Sequence, residues 1–254
     1  MFEPPVLKTP GLFVTGTGTD VGKTTVSCAI LTAWREQQRR VRLGVCKPFS
    51  SGCKRDREGL ESADVRALAG ASGCMAPRDV MSPVCYEAPL APAVAAEAQG
   101  TRPDWDAVGR ALSSLDADHD AVLIEGVGGV RVPLDPSYPR FMVGEFAKAL
   151  AYPVLVVAQA GLGTLNHTLL TLETLMTLQC RVVGLVLNDT QPVEGAADPS
   201  RESNARWLER LTGVKVLAQV PAGRGVDAAG RVDPRLVAAV SGVDWSEVVR
   251  PPGK

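Results

Sequence analysis

Short apolar runs alternate with longer stretches in which apolar positions recur every three or four residues, and this alternation predicts the framework of the chain. The runs are Leu12–Thr15, Val41–Val45, Ala121–Ile124, Val154–Ala158, Val182–Leu187 and Val214–Val220. Each has the length and the β-favouring composition of a strand. The stretches between them predict helices at 22–39, 62–70, 104–116, 142–150, 166–179 and 201–212, with Ser62 capping ahead of acidic Asp64 and Gly213 as a stop. Such alternation builds a parallel sheet. The run Val154–Val157 is apolar at successive positions, so both of its faces are expected to lie under helices. The expected fold is therefore α/β, a single doubly wound, mainly parallel β-sheet flanked by helices. It is expected to occupy residues 11–245, with 1–10 and 246–254 as tails that fray around Pro4-Pro5 and Pro251-Pro252.

Composition narrows the ligands. The 254 residues are 45% hydrophobic and 22% charged, which suits one domain of generous size. With 27 basic against 28 acidic residues, no long-range positive field attracts nucleic acid or an anionic membrane, so small molecules are the expected ligands. The six cysteines, at 28, 46, 53, 74, 85 and 180, form no Cys-x-x-Cys pair. Reduced thiols in a cytoplasmic protein are expected. Met1 to Pro10 carry no apolar run of signal-peptide type, and no stretch approaches the roughly 18 continuous apolar residues of a membrane helix.

The first candidate chemistry lies between the first strand and the first helix, where Gly16 to Thr25 reads Gly-Thr-Gly-Thr-Asp-Val-Gly-Lys-Thr-Thr. Glycines there free the backbone to turn its N–H groups inward, and with the helix dipole these donors cradle phosphates. Lys23 is placed to reach the β- and γ-phosphates, and Thr24 sets a hydroxyl where Mg²⁺ would bridge them. The nucleotide-binding set is Gly18, Thr19, Asp20, Val21, Gly22, Lys23, Thr24 and Thr25. The loop is one residue longer than the common Gly-x4-Gly-Lys-[Ser/Thr] spacing, but its strand–loop–helix setting is that of a phosphate-loop NTPase.

Ligands of open parallel sheets collect at the carboxyl ends of the strands, and further candidates sit there. Lys47, in Lys47-Pro48-Phe49-Ser50-Ser51-Gly52, reads as either the partner of a second anion or a solvated strand-end lysine. Glu125 follows four apolar residues, where a metal-side carboxylate of a phosphate-loop enzyme belongs. Asp64 is either a further metal-side acid or a first-turn acid that favours the helix dipole. Gly161 to His167 opens a helix with a second nest of amide donors suited to a carboxylate. Asn188 offers an amide that can both donate to and accept from an adenine edge, and His119 is expected in a surface loop.

Six motifs, Gly-Thr-Gly-Thr-Asp-Val-Gly-Lys-Thr, Lys-Pro-Phe-Ser-Ser-Gly, Ser62–Asp64, Glu-Gly-Val-Gly-Gly, Gly-Thr-Leu-Asn-His and Val-Leu-Asn-Asp, resemble dethiobiotin synthetase in order across about 12–225. The resemblance implies an enzyme that makes the ureido ring of dethiobiotin, in biotin biosynthesis, from 7,8-diaminopelargonate, CO₂ and ATP. It also implies Mg²⁺ and a homodimer with interfacial active sites. By position, Lys23 resembles the phosphate-loop lysine and Lys47 the lysine that meets the carbamate and γ-phosphate, while Thr24, Asp64 and Glu125 match the magnesium side. Thr19 and Ser51 match residues near the reacting end of the substrate. Gly163, Thr164, Leu165 and Asn166 match a loop that binds the substrate carboxylate from the partner subunit, and Asn188 matches the adenine reader with Pro221 beside the base. Two positions depart: Ala93 stands where the family often has histidine, and Asp20 where glutamate is also found.

Two rivals share the ATPase module. A ParA- or MinD-like switch carries an extra lysine early in its loop, where this chain has Gly18. A cobyrinate amidating enzyme appends a glutamine-hydrolysing domain, too large for the residues after Val220.

Overall fold

The computed structural model describes residues 2–190 and 198–249. In chain order the elements are β1 (Gly11–Gly16), α1 (Lys23–Gln37), β2 (Leu43–Cys46), β3 (Phe49–Ser50), β4 (Lys54–Arg55), β5 (Leu60–Glu61), α2 (Ala63–Ser72), α3 (Arg78–Met81), β6 (Val84–Cys85) and α4 (Pro92–Ala98). There follow α5 (Trp105–Asp118), β7 (Ala121–Gly129), α6 (Val143–Leu150), β8 (Val154–Gln159), α7 (Thr164–Thr177), β9 (Val182–Asn188), α8 (Ser200–Thr212), β10 (Val216–Val220), α9 (Pro234–Val240) and α10 (Trp245–Val248). Six strands in the spatial order β10-β9-β8-β1-β7-β2 form one sheet, and every pairing in it is parallel. Helices contact this sheet along its width, α1 on β1 and β7, α5 on β2 and β7, α7 on β8 and β9, and α8 and α9 on β10. The continuous apolar runs are buried on both faces, as expected: Leu12, Phe13, Val14 and Val154 to Ala158 are all sealed from water. Each such side chain contributes roughly 1.5–3 kcal/mol relative to exposure.

Local signals end the helices where the sequence places them. The Ser62 hydroxyl accepts from the Val65 N–H at the start of α2, and Gly213, in the left-handed region, stops α8. The short elements β3 to β6, α3, α4, α9 and α10 go beyond the predicted set. β7 also runs past Ile124 to Gly129, because its pairing with β1 continues through a register shift to Gly16. Glu125 is thus an interior strand residue opposite Val14, rather than the residue after the strand.

The first residues do not fray. Phe2 stacks on Trp105 with ring centroids 4.7 Å apart, and the backbone N–H groups of Lys8 and Thr9 both donate to Asp116. At the other end, packing continues through the fully buried Trp245, whose indole N–H donates to the Val240 carbonyl at 3.1 Å, to Val249. Pro251-Pro252 and the rest of the second expected tail beyond Val249 lie outside the described residues. Among the described residues no helix is long and apolar enough to cross a membrane.

Candidate active site

The strand-to-helix step at β1 and α1 builds the phosphate loop. Gly22, the cap of α1, has φ +84°, a conformation that side-chain-bearing residues rarely adopt. A Cβ there would also come 2.0 Å from the Asn188 amide nitrogen. Lys23 leaves the first helical position, and its ammonium donates to the Gly18 carbonyl at 2.8 Å, so the lysine bridges the loop it belongs to. Burial, assisted by the nearby positive charge of Lys47, lowers the Lys23 ammonium to about 8, although Glu125, Asp64 and Asp20 pull the other way.

Glu125 lies under the loop with no exposure at all. Its Oε1 accepts from the Thr24 hydroxyl at 2.7 Å and from the Lys47 ammonium at 3.0 Å. Its Oε2 is buried with no hydrogen-bond partner among the described residues. An orphaned carboxylate oxygen is costly, and beside a threonine hydroxyl it offers the hard oxygen donors that a divalent cation takes. Among the described residues no cluster of three or more His, Cys, Asp and Glu side chains is arranged to hold a metal on its own. Any cation here would therefore complete its shell with ligand phosphates and water.

Lys47 is buried, which settles the choice between a solvated lysine and one with anionic partners. Its backbone N–H donates to the Met81 carbonyl, its carbonyl accepts from the Ser82 hydroxyl at 3.2 Å, and its ammonium is held between Glu125 and Asp64. Burial works against the charged form, but the two carboxylates outweigh it and raise the ammonium above the ordinary lysine value. Asp64 is in the first turn of α2 and is also the exposed partner of Lys47. The first-turn description holds, and the pairing with Lys47 brings its carboxylate to the site.

A cleft of about 1180 Å³ is lined by Thr19, Asp20, Gly22 to Thr25, Lys47, Ser51, Asp64, Asn188 and Pro221, whereas Gly18, Val21 and the sealed Glu125 do not line it. Asn188 is buried and donates to the Val21 carbonyl at 3.0 Å, so one of its amide hydrogens supports the phosphate loop. Gly163 to Asn166 do not line this cleft. Gly163, at φ +92°, caps α7; the Thr164 hydroxyl turns inward to Thr168, while Asn166 is exposed.

The sequence reading missed Arg224 and Arg235, which line the cleft after β10; the Pro89–Ala91 and Val127–Gly128 stretches line it as well. The rule that ligands gather at strand ends points to both glycine-bearing segments, the end of β7 and the stretch after β10. His119 lies in the loop between α5 and β7 as expected but is half-buried: its ring packs under Gly44, Nδ1 meets the Leu115 carbonyl at 3.1 Å, and Nε2 lies 3.6 Å from the Cys74 sulfur.

Comparison with known proteins agrees with this geometry. A family model described as an AAA domain matches residues 10–229. The chain is 44% identical to the ATP-dependent dethiobiotin synthetase BioD of Anaeromyxobacter dehalogenans, over 83% of this chain and 89% of that protein. It is 33% identical to the enzyme of the same name from Bacillus subtilis, over 83% and 87%. Among solved structures it resembles the MinC:MinD cell division protein complex of Aquifex aeolicus, with a TM-score of 0.55 and 12% identity over 97% of this chain and 98% of the other. A ParA family ATPase from Chlorobium tepidum gives a TM-score of 0.52 at 12% identity over 94% and 98%. These two share the fold alone. Aligned over most of both partners' lengths with several synthetases, and carrying a nucleotide loop set in a parallel sheet, the chain belongs to the ATP-dependent dethiobiotin synthetase family.

Proposed function

We propose that the chain catalyses the ATP- and Mg²⁺-dependent carboxylation and ring closure of 7,8-diaminopelargonate to dethiobiotin. The observation that carries this reading is the pair of buried lysines facing one cleft, Lys23 on the phosphate loop and Lys47 tethered to Glu125 and Asp64. Two cations at one site suit a reaction that must hold two anions together. A diamine nitrogen captures CO₂ as a carbamate, and a carbamate oxygen attacks the γ-phosphorus of ATP to give a carbamic-phosphoric anhydride and ADP. The second amine then attacks the carbonyl carbon, closes the ring and expels phosphate.

Carbamate and triphosphate repel each other, so catalysis rests on positioning and charge neutralisation rather than on a nucleophilic side chain. Lys23 leaves the Gly18 carbonyl for the β- and γ-phosphates, while Lys47 meets the carbamate and the transferring phosphoryl group. Thr19 and Ser51, which line the same cleft, orient the reacting end. Thr24, Glu125 and Asp64 would hold Mg²⁺, and the unpartnered Oε2 of Glu125 supports that assignment. The bound cation supplies further positive charge to the phosphates. Asn188 reads the adenine with Pro221 beside the base. Gly163 to Asn166 serve the substrate carboxylate of the partner subunit in a homodimer, in keeping with their position away from the cleft of their own chain. A cytoplasmic setting accords with six unpaired cysteines.

The test is mass detection of dethiobiotin from purified protein, ATP, Mg²⁺, bicarbonate and the diamine. Product that requires all four supports the reading; ATP turnover indifferent to diamine and bicarbonate contradicts it.

A further inference from the structure

All six cysteines are unpaired, yet Cys53 and Cys85, far apart in sequence, meet beside the Lys47 loop. Parallel pairing of β3 with β6 sets Ser50 opposite Cys85. The Tyr86 N–H then donates to the Ser50 carbonyl at 2.8 Å, and the Cys53 N–H donates to the Tyr86 carbonyl at 3.0 Å. The backbone thereby folds Cys53 back beside the strand that carries Cys85. Cys53 is buried, whereas Cys85 retains partial exposure. Ser82 completes the cluster. Its hydroxyl lies 3.2 Å from the Cys85 sulfur, 2.8 Å from the Ser50 hydroxyl and 3.2 Å from the Lys47 carbonyl.

The two thiols are unequal. The neighbouring Cys53 thiol and the Ser82 hydroxyl draw the Cys85 thiol down to about 7 against the opposing effect of burial. The neighbouring Cys85 thiol, together with burial, pushes the Cys53 thiol up. Elsewhere burial pushes Cys28, Cys46 and Cys180 up, which disfavours the thiolate that attacks. A reachable, thiolate-rich sulfur beside a buried thiol is the arrangement of an attacking and a resolving cysteine.

We propose that Cys53 and Cys85 form an oxidative modification site that takes a low-molecular-weight disulfide and closes to an intramolecular disulfide at the rim of the cleft. The Cys85 thiolate attacks one sulfur of the small disulfide, forming a mixed disulfide and releasing one small thiolate. The Cys53 thiol gives its proton to that thiolate and attacks the Cys85 sulfur, releasing the second small thiolate. The protein loses two hydrogens, and one small disulfide becomes two thiols. The cross-link pins the turn that carries Ser51, a residue of the cleft, to β6 and takes the Cys85 sulfur from Ser82.

The test treats the native full-length protein with oxidised glutathione, followed by acid quenching, alkylation of free thiols and peptide mass mapping. A peptide pair joined through Cys53 and Cys85, lighter by two hydrogens and restored by dithiothreitol, is the expected result. Cys53→Ser should stop at a glutathione adduct on Cys85, and Cys85→Ser should give neither product. The proposal is overturned if both thiols remain alkylatable while another cysteine reacts, or if Cys53→Ser carries no adduct on Cys85.

Discussion

The Lys47 ammonium stands 3.0 Å from Oε1 of a Glu125 that is wholly sealed from water. A buried carboxylate keeps its charge only while cationic or hydrogen-bonding partners remain, so the lysine both holds the floor of the site together and faces substrate. Lys47→Ala is therefore expected to cost about 3–5 kcal/mol of stability, the range for breaking a buried pair. It should also slow turnover by about 10²-fold or more, while leaving nucleotide binding largely intact. Adding Glu125→Gln should recover much of the stability and none of the turnover. Urea unfolding with steady-state kinetics separates these effects; near wild-type turnover in Lys47→Ala removes the lysine from the mechanism.

Glu125 also orients the Thr24 hydroxyl at 2.7 Å. It is a carboxylate placed to hold the cation as well as to orient Thr24, so Glu125→Gln is expected to raise the half-saturating Mg²⁺ concentration by about 10- to 100-fold or more. Titrating Mg²⁺ at saturating ATP measures it. An unchanged Mg²⁺ requirement would detach Glu125 from the cation.

Lys23 makes ATP binding proton-linked. Its ammonium is lowered from 10.5 to about 8 in the folded protein. Below about 8 both folded and unfolded chains hold the proton, and the full cost of burying the charge is present. As pH rises from about 8 to 10.5 the unfolded chain holds more protons, so this group's contribution shifts in favour of the fold. Triphosphate set against the lysine favours its charged form, so ATP binding near pH 9 should take up protons, up to about one per site. Calorimetric titration in buffers of different ionisation enthalpy should report that uptake, and Lys23→Arg, always charged, should abolish it. Heats independent of buffer would contradict the assignment.

Two of the loop glycines, Gly22 and Gly18, should separate. Gly22→Ala forces a side chain into the left-handed region at about 1–2 kcal/mol and drives its Cβ against Asn188. Both Tm and nucleotide affinity should fall. Gly18→Ala meets nothing within 4 Å, so Tm should hold. Thermal melts of the two variants, with and without ATP, make the comparison; equal losses of Tm would count against the Asn188 buttress.

Much of this site is local enough to be legible in the sequence. The glycines, lysine and threonine of the phosphate loop are consecutive, and the apolar runs mark the strands that carry Glu125 and Asn188. What escapes depends on long-range contact. Glu125 lies within β7 because β1 extends the pairing beyond the apolar run, and its bond to Lys47 joins β7 to the residue after β2, two places that local periodicity treats separately. The helices α3, α4, α9 and α10 are too short for a helical period to declare itself. Phe2 looks like a tail residue until Trp105 arrives to stack on it. Cys53 and Cys85 read as unrelated thiols because only the β3–β6 pairing unites them.

The central claim is that a carbamate oxygen, rather than water, attacks ATP. One measurement addresses it directly: a single turnover started with ¹⁸O-labelled CO₂ in ordinary water, quenched before the label exchanges with solvent, with the released phosphate analysed by mass. Ring closure breaks the bond between carbonyl carbon and bridging oxygen, so the account predicts one ¹⁸O in phosphate for each dethiobiotin formed. Unlabelled phosphate accompanying labelled dethiobiotin would contradict it.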